Sequence, residues 1–171
     1  EEPFLVMATQ NPIEMEGTYP LPEAQLDRFL AKLTVRYSNR EELITILERT
    51  TQGVDVAPRA VADAATIVDM RAFAHSIVAA THVKDYAVRL VLATHPGGPF
   101  ATEMTNRYVR YGASPRGAQA LMLFGKIRAL LAGRFNVAFD DVAASVLACL
   151  RHRIILNFEG EAEGITSDTV L

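Results

Sequence analysis

After Gly53 the sequence carries helical patterns and almost no strand signal, and this constrains the fold more than any other feature. Apolar residues recur there every three or four positions, which places them on one face of a helix. The break Pro96-Gly97-Gly98-Pro99 interrupts these patterns, and Gly160 to Gly164 is predicted to be an acidic, flexible stretch. The second half is therefore predicted to be α-helical, with helices at about 69–80, 84–94, 115–132 and 141–152.

The first part of the chain has the mixed pattern of an α/β unit. Phe4 to Ala8 is a continuous apolar run, typical of a strand buried on both faces of a parallel sheet. A short helix, Glu23 to Phe29, and a second strand, Lys32 to Arg36, follow it. Because a buried strand needs neighbours on both sides, we expect the earlier strands of this sheet to precede Glu1.

A further helix is expected between the two halves. Ser38 or Asn39 can cap it, and Glu41 and Glu42 in its first turn suit the helix dipole. We expect this helix to link two domains.

Composition excludes several classes of protein. The net charge of −3 and the pI near 5.8 argue against a nucleic-acid partner, which usually requires a basic face. No apolar run approaches the roughly 20 residues that span a bilayer, and the start lacks a signal-peptide pattern, so we expect a cytoplasmic protein. Cys149, the single cysteine, lies in an apolar setting and is expected to be a buried thiol.

Asn11 is the first polar residue that could carry chemistry. It follows the predicted strand Phe4 to Ala8, at the edge where α/β sheets present residues to ligands. Its amide could orient a water molecule near a phosphate. The alternative is that Asn11-Pro12 only begins a turn.

Arg28 is the second candidate, near the end of a short helix at the same edge of the sheet. An arginine inserted into a neighbouring subunit's site can neutralise charge on a transferring phosphoryl group. The alternative is a solvated cation that interacts favourably with the helix end.

Arg116 is the third candidate. Ser114 suits a helix cap and Pro115 the first helical position, so Arg116 would lie in the first turn. An anion such as phosphate would be attracted there by the arginine, the helix dipole and free backbone donors. A plain surface arginine remains the alternative.

Other polar motifs carry no catalytic prediction. Gly125-Lys126 lies inside a predicted helix and is not a phosphate loop, and the four histidines show no metal-ligand spacing. We interpret Asp140 as a helix cap. The cluster Arg151-His152-Arg153 is interpreted as a basic helix terminus.

Two adjacent motifs give the chain a resemblance to a known family. ATQNP at 8–12, followed by EGTYPLPEAQLDRF at 16–29, resembles the MoxR family of AAA+ ATPases. Later stretches agree in the same order, namely GASPRGAQAL at 112–121, DDV at 140–142 and LRHRIIL at 150–156. The segment 93–105 departs from the charged linker expected there.

The resemblance implies a role for each candidate residue. Asn11 matches the first sensor of the family, Arg28 its arginine finger and Arg116 its second sensor. It implies a mainly α chain, in which a short remnant of the parallel α/β AAA+ core precedes an all-α lid. Residues 1–37 would be the end of the core, 38–53 a linker helix and 54–171 the lid.

The resemblance also implies cofactors and partners. The full-length protein is expected to use ATP and Mg²⁺, with the phosphate loop and the magnesium-binding carboxylates upstream of Glu1. The 171 residues alone are expected neither to hydrolyse ATP nor to bind it tightly. MoxR-type proteins are chaperone-like remodelers that form rings, commonly hexamers, often with partners carrying von Willebrand factor A domains.

Two interpretations from other classes stay open on the residues alone. One is a non-enzymatic helical adaptor, in which the helical half binds a protein partner. The other, a helical DNA-binding domain, is disfavoured by the acidic balance of charge.

Overall fold

The computed structural model describes residues 2–10, 21–51, 53 and 57–171. Within these ranges the chain is mainly helical, which confirms the predicted fold class. No helix in the described ranges is both long enough and apolar enough to cross a membrane. The helices are α1 (Glu23–Leu26), α2 (Arg40–Thr51), α3 (Ala64–Ser76), α4 (Thr81–Ala93), α5 (Glu103–Tyr108), α6 (Pro115–Leu131), α7 (Phe139–Ala143), α8 (Val146–Leu150), α9 (Phe158–Ala162) and α10 (Ser167–Val170), and the strands are β1 (Val109–Tyr111) and β2 (Ile155–Leu156).

Helix α6 is the centre of the helical half, because α3, α4, α7 and α8 all pack against it. Small residues let these neighbours approach closely. A Cβ added at Gly117 would lie 2.8 Å from Leu150, and one added at Gly125 would lie 2.9 Å from Val137. The buried core around α6 includes Val83, Ala87, Val91, Ala120, Leu121, Ala129, Val142, Cys149 and Leu150.

The helical half also contains a short antiparallel sheet that the sequence analysis did not predict. Strand β1 pairs with β2 through Val109 opposite Leu156 and Tyr111 opposite Ile155, with an irregularity between the two pairs. Strands of three and two residues are too short to show the alternation that identifies a strand in a sequence. This sheet joins the α5 region to α9.

The expected strands Phe4 to Ala8 and Lys32 to Arg36 are not formed in the described residues. Phe4, Leu5 and Met7 are instead 81%, 78% and 85% exposed. A buried strand requires main-chain hydrogen bonds from neighbouring strands, and no strand pairs with either segment within the described ranges. The prediction of a strand buried on both faces was therefore wrong for this structure.

Two local predictions in the last third are also corrected. The helix expected at 141–152 divides into α7 and α8, and Asp140 lies inside α7 rather than capping it. The cap position is Ala138, whose N–H donates to the Asp141 carboxylate at 2.8 Å. Asp141 thus satisfies the main chain of the cap residue, while Ala138 has no side-chain oxygen to accept an N–H of the first turn.

The stretch Gly160 to Gly164, predicted to be flexible, is partly helical. Gly160 is buried within α9, and a Cβ there would lie 3.3 Å from the main-chain oxygen of Tyr108. The Arg107 side chain also binds this region, with 2.6 Å to Glu159 and 2.7 Å to Glu163. Gly160 thus permits close packing here, whereas Gly164, the other glycine of this stretch, has a positive φ of 69°.

Candidate functional site

Asp27 and Arg28 directly follow α1, and their side chains lie in different environments. The Asp27 N–H donates to the Glu23 carbonyl at 3.0 Å, and the Arg28 N–H donates to the Gln25 carbonyl at 3.1 Å, which fixes the turn. The Arg28 side chain is exposed and makes no hydrogen bond or ion pair with any described residue. Asp27 is turned instead toward the helical half of the chain.

The Asp27 carboxylate lies at the N-terminus of α6. Ser114 Oγ lies 2.8 Å and 2.9 Å from its two oxygens, and Arg116 Nη1 donates to Oδ2 at 3.0 Å. On the other side, Arg153 Nε lies 3.2 Å from Oδ1. Asp27 therefore joins the predicted site residue Arg116 to the turn that carries Arg28.

Asp27 remains an anion at neutral pH. Burial opposes its ionisation, but the hydrogen bonds from Ser114 and Arg116 and the charge of Arg153 outweigh burial, so the pKa of Asp27 is lowered from 3.8. Sequence reasoning missed this residue. Its position directly before Arg28 in the matched motif was the available signal.

Arg116 lies where the sequence predicted, in the first turn of a helix that Ser114 caps and Pro115 begins. The backbone donors of this turn are used locally, because the Arg116 N–H donates to Ser114 Oγ at 3.2 Å and the Gly117 N–H to the Ser114 carbonyl at 2.8 Å. An anion at this point is therefore held by the Arg116 guanidinium, the Ser114 hydroxyl and the helix dipole, not by free N–H groups. The Asp27 carboxylate stands there in place of such an anion, so the donor set fits a phosphate oxygen.

Arg153 is buried behind this carboxylate, with a side chain only 2% exposed. Its guanidinium donates to the carbonyls of Asp27 at 3.1 Å and Phe29 at 2.7 Å, and also to the Cys149 carbonyl. Burial lowers the pKa of Arg153, and the Asp27 charge opposes that shift. The residue is therefore a fixed structural cation, not a solvated one.

The neighbours of Arg153 bind the same stretch of chain. His152 Nε2 lies 2.9 Å from the Phe29 carbonyl. Arg151 donates to the Thr34 hydroxyl and also forms an ion pair with Asp168, at 2.9 Å. The Lys32 N–H adds a bond to the Ala148 carbonyl at 2.9 Å. The basic cluster at 151–153 is thus more than a helix terminus, because it attaches residues 27–34 to the helical half.

The structure brings together only part of the predicted site. It places Arg116 against Asp27, whereas the side chain of Arg28 points into solvent and does not join them. Asn11 lies outside the described residues. Cys149 is buried as expected, and burial raises the pKa of its thiol to about 11, which makes it a poor nucleophile.

Comparison with known proteins gives two family matches at the two ends of the chain. Residues 1–31 match the ATPase family associated with various cellular activities (AAA), and residues 101–171 match the AAA lid domain. A solved structure of a proposed ATPase from Cytophaga hutchinsonii superposes with a TM-score of 0.90 at 35% identity. That match covers 99% of this chain and 52% of the other.

Three relatives show the same pattern of coverage. Chaperone MoxR1 of Mycobacterium tuberculosis is 38% identical over 99% of this chain and 45% of its own length. The uncharacterized protein YeaC of Bacillus subtilis is 39% identical over 99% of this chain and 51% of its own length. Protein MoxR of Methylorubrum extorquens is 30% identical over 88% of this chain and 47% of its own length. The chain thus spans about half the length of the curated relatives it matches.

Proposed function

We infer that this chain, which belongs to the MoxR type of AAA+ ATPase, supplies the sensing and inter-subunit arginines of an ATP-driven, chaperone-like remodeling protein. The proposed division is an end of the nucleotide-binding core at 1–37, a linker helix at 38–53 and a lid at 54–171. The phosphate loop and the magnesium ligands would come from the rest of the full-length protein. By itself the chain would neither hydrolyse ATP nor bind it tightly.

The observation that carries this proposal is the anion held by Arg116 at the start of α6. A carboxylate already occupies the position where the second sensor would meet a phosphate, 3.0 Å from Arg116 Nη1. The Arg116 side chain is 55% exposed, so a ligand from solvent can reach it. Arginine is suited to this exchange because its guanidinium binds carboxylate and phosphate oxygens in the same way.

The chain's own residues would have distinct roles. When bound, ATP with Mg²⁺ supplies the phosphoryl group that is transferred to water. Arg116 would bind phosphate oxygens and connect them to α6 and thus to the lid. Asn11 would orient the attacking water, as its motif implies.

Arg28 would act on a different site from Arg116. Its exposed side chain lacks a partner within the described residues, although the adjacent Asp27 is surrounded by groups from its own chain. An exposed guanidinium on a fixed turn can enter the site of a neighbouring subunit and stabilise charge on the transferring group. This requires a ring, and we propose a hexamer. Proteins with von Willebrand factor A domains are proposed as further partners.

The test of this function is Arg28→Ala in the full-length protein. Loss of an arginine finger should lower ATP turnover by about three orders of magnitude or more, because developing charge loses its counter-ion. Nucleotide affinity should change little, since an arginine finger acts mainly on charge that develops during phosphoryl transfer. Turnover is measured by phosphate release, and affinity by titration calorimetry.

Arg36→Ala is the matched control, because Arg36 is also exposed, at 77%, and its ion pair in the described part of the chain is with Glu42 on the surface. It should leave turnover near the wild-type value. If Arg28→Ala has no effect on nucleotide turnover, the ATPase assignment of this residue is wrong. A wild-type full-length protein that shows no ATP turnover would instead favour the non-enzymatic adaptor.

A further inference from the structure

The ion pair between Asp27 and Arg116 is built so that one partner can leave. Arg116 uses a single guanidinium nitrogen, Nη1, for this contact, and no other described side chain binds its remaining donors. A guanidinium has five N–H donors, so a second anion can bind before the first is released. Arg116 is 55% exposed and Asp27 is 17% exposed, so solvent weakens the contact from the arginine side and makes Arg116 the easier partner to exchange.

Asp27 would not be left unpaired after Arg116 departs. Ser114 Oγ lies 2.8 Å from Oδ1, and Arg153 approaches the same carboxylate from the buried side. Arg153 cannot leave as easily, since its side chain is 2% exposed and donates to several main-chain carbonyls. The carboxylate therefore has one permanent cation, Arg153, and one exchangeable cation, Arg116.

We propose that Asp27 is a positioning residue that competes with the terminal phosphate of ATP for Arg116. This rests on the proposed function, because Arg116 must be the residue that meets the phosphate. Without nucleotide, Asp27 holds Arg116 at the start of α6. With ATP, the more highly charged phosphate draws Arg116 away, whereas ADP leaves the pair with Asp27 intact. Asp27 thus lowers ATP affinity and sets how strongly the protein distinguishes ATP from ADP.

The experiment is a double-mutant cycle in the full-length protein, with Asp27→Asn, Arg116→Ala and the double variant. The Kd values of Mg·ATPγS and Mg·ADP are measured by calorimetry. Asp27→Asn removes the competing charge and keeps an oxygen for Ser114, so ATPγS should bind about two- to fivefold more tightly, as expected for a contact that solvent screens on the arginine side. The affinity for ADP should stay unchanged. In the Arg116→Ala background, Asp27→Asn should change neither Kd.

Glu23→Gln is the matched control, because Glu23 is an exposed carboxylate on the same helix, α1, with no side-chain partner among the described residues. A similar gain in ATPγS affinity from this variant would mean that Asp27 acts only through general charge, and would overturn the proposal. So would an Asp27→Asn variant that folds normally but binds ATPγS no more tightly than wild type.

Crystal structures of the wild-type protein with and without Mg·ATPγS keep the proposal testable if Asp27→Asn fails to fold. The contact between Arg116 Nη1 and Asp27 Oδ2 should be present without nucleotide and broken with ATPγS. An intact contact in both states overturns the competition. The double-mutant cycle also separates the two proposals. If Arg116→Ala does not weaken the binding of ATPγS relative to that of ADP, the sensor role of Arg116 fails, and the competition fails with it. If Arg116→Ala weakens ATPγS binding but Asp27→Asn has no effect on it, only the competition fails.

Discussion

At the scale of the residue, Gly112 determines how the chain enters α6. A Cβ at this position would lie 2.6 Å from the Thr94 main-chain oxygen and 2.7 Å from Thr94 Oγ1. The same hydroxyl accepts the Ala113 N–H at 2.9 Å, and His95 Nε2 lies 2.9 Å from the Ala113 carbonyl. The end of α4 thus holds the turn that places Ser114 and its neighbours at the candidate site.

Replacing Gly112 by alanine should destabilise the protein, because the added methyl group must displace main-chain atoms at the end of α4. Overpacking of this kind typically costs about 1–3 kcal/mol. The free energy of unfolding, measured by urea denaturation of the Gly112→Ala variant, should fall by this amount. An unchanged denaturation midpoint would show that the Thr94 turn can move aside at no cost.

At the scale of the element, α2 depends on its cap more than on its packing. Asn39 Oδ1 accepts the Glu42 N–H at 2.9 Å, and the Glu42 carboxylate accepts the Asn39 N–H at 2.9 Å. None of the described residues of α2 is buried. This reciprocal arrangement shows that Asn39, rather than Ser38, is the cap, and it leaves α2 with little tertiary support.

Replacing Asn39 by alanine should therefore loosen α2 while leaving the rest of the protein folded. Loss of such a cap costs about 1 kcal/mol. Amide hydrogen exchange of residues 43–51 should accelerate about fivefold, as expected from that free energy. Ser38→Ala is the control, because the Ser38 side chain has no partner in the described structure, and its exchange rates should match wild type. Equal acceleration in both variants would contradict the assignment of the cap.

At the scale of the whole molecule, residues 27–34 are attached to the helical half through 148–153. His152 takes part with its neutral side chain, because burial lowers its pKa below 6.5 and the nearby Arg153 and Lys32 charges act in the same direction. Its Nδ1 is buried and has no hydrogen-bond partner among the residues that the structure describes. Protonation of this imidazole would place an unpaired donor and a charge beside other cations.

Stability should consequently fall as the pH drops from 7.5 to 5.5. The unfolded chain binds a proton at His152 near pH 6.5 while the folded chain resists it, so each step down in pH through this range favours unfolding. Thermal denaturation of His152→Gln, which keeps an N–H donor for the Phe29 carbonyl, should show a flatter pH dependence than wild type. The exposed His75→Gln should retain the wild-type slope. A wild-type slope in His152→Gln would remove this residue from the explanation.

How much of the fold was predictable depended on how local the signal was. The helices α2 and α6 were predicted with nearly correct ends, and α4 with a nearly correct C-terminal end, because caps and breakers adjoin these ends. Examples are Ser114-Pro115 at the start of α6 and the Pro96-to-Pro99 break after α4. Two other predictions were confirmed for a similar reason. Short motifs identified the family, and the apolar neighbours of Cys149 in the sequence indicated that it is buried. The prediction failed at Phe4 to Ala8, where strand formation depends on other parts of a sheet.

The sequence by itself determined the helical character of the second half, the cap of α6 and the placement of Arg116 in its first turn. Only the tertiary structure decided that Asp27 is its partner and that Arg153 is buried behind that carboxylate. Asp27 lies 89 residues from Arg116 and 126 residues from Arg153 in the sequence. Caps and helical periodicity act over three or four residues and can be read along the chain. A charge pair formed by packing depends on which surfaces meet, and no local pattern records that.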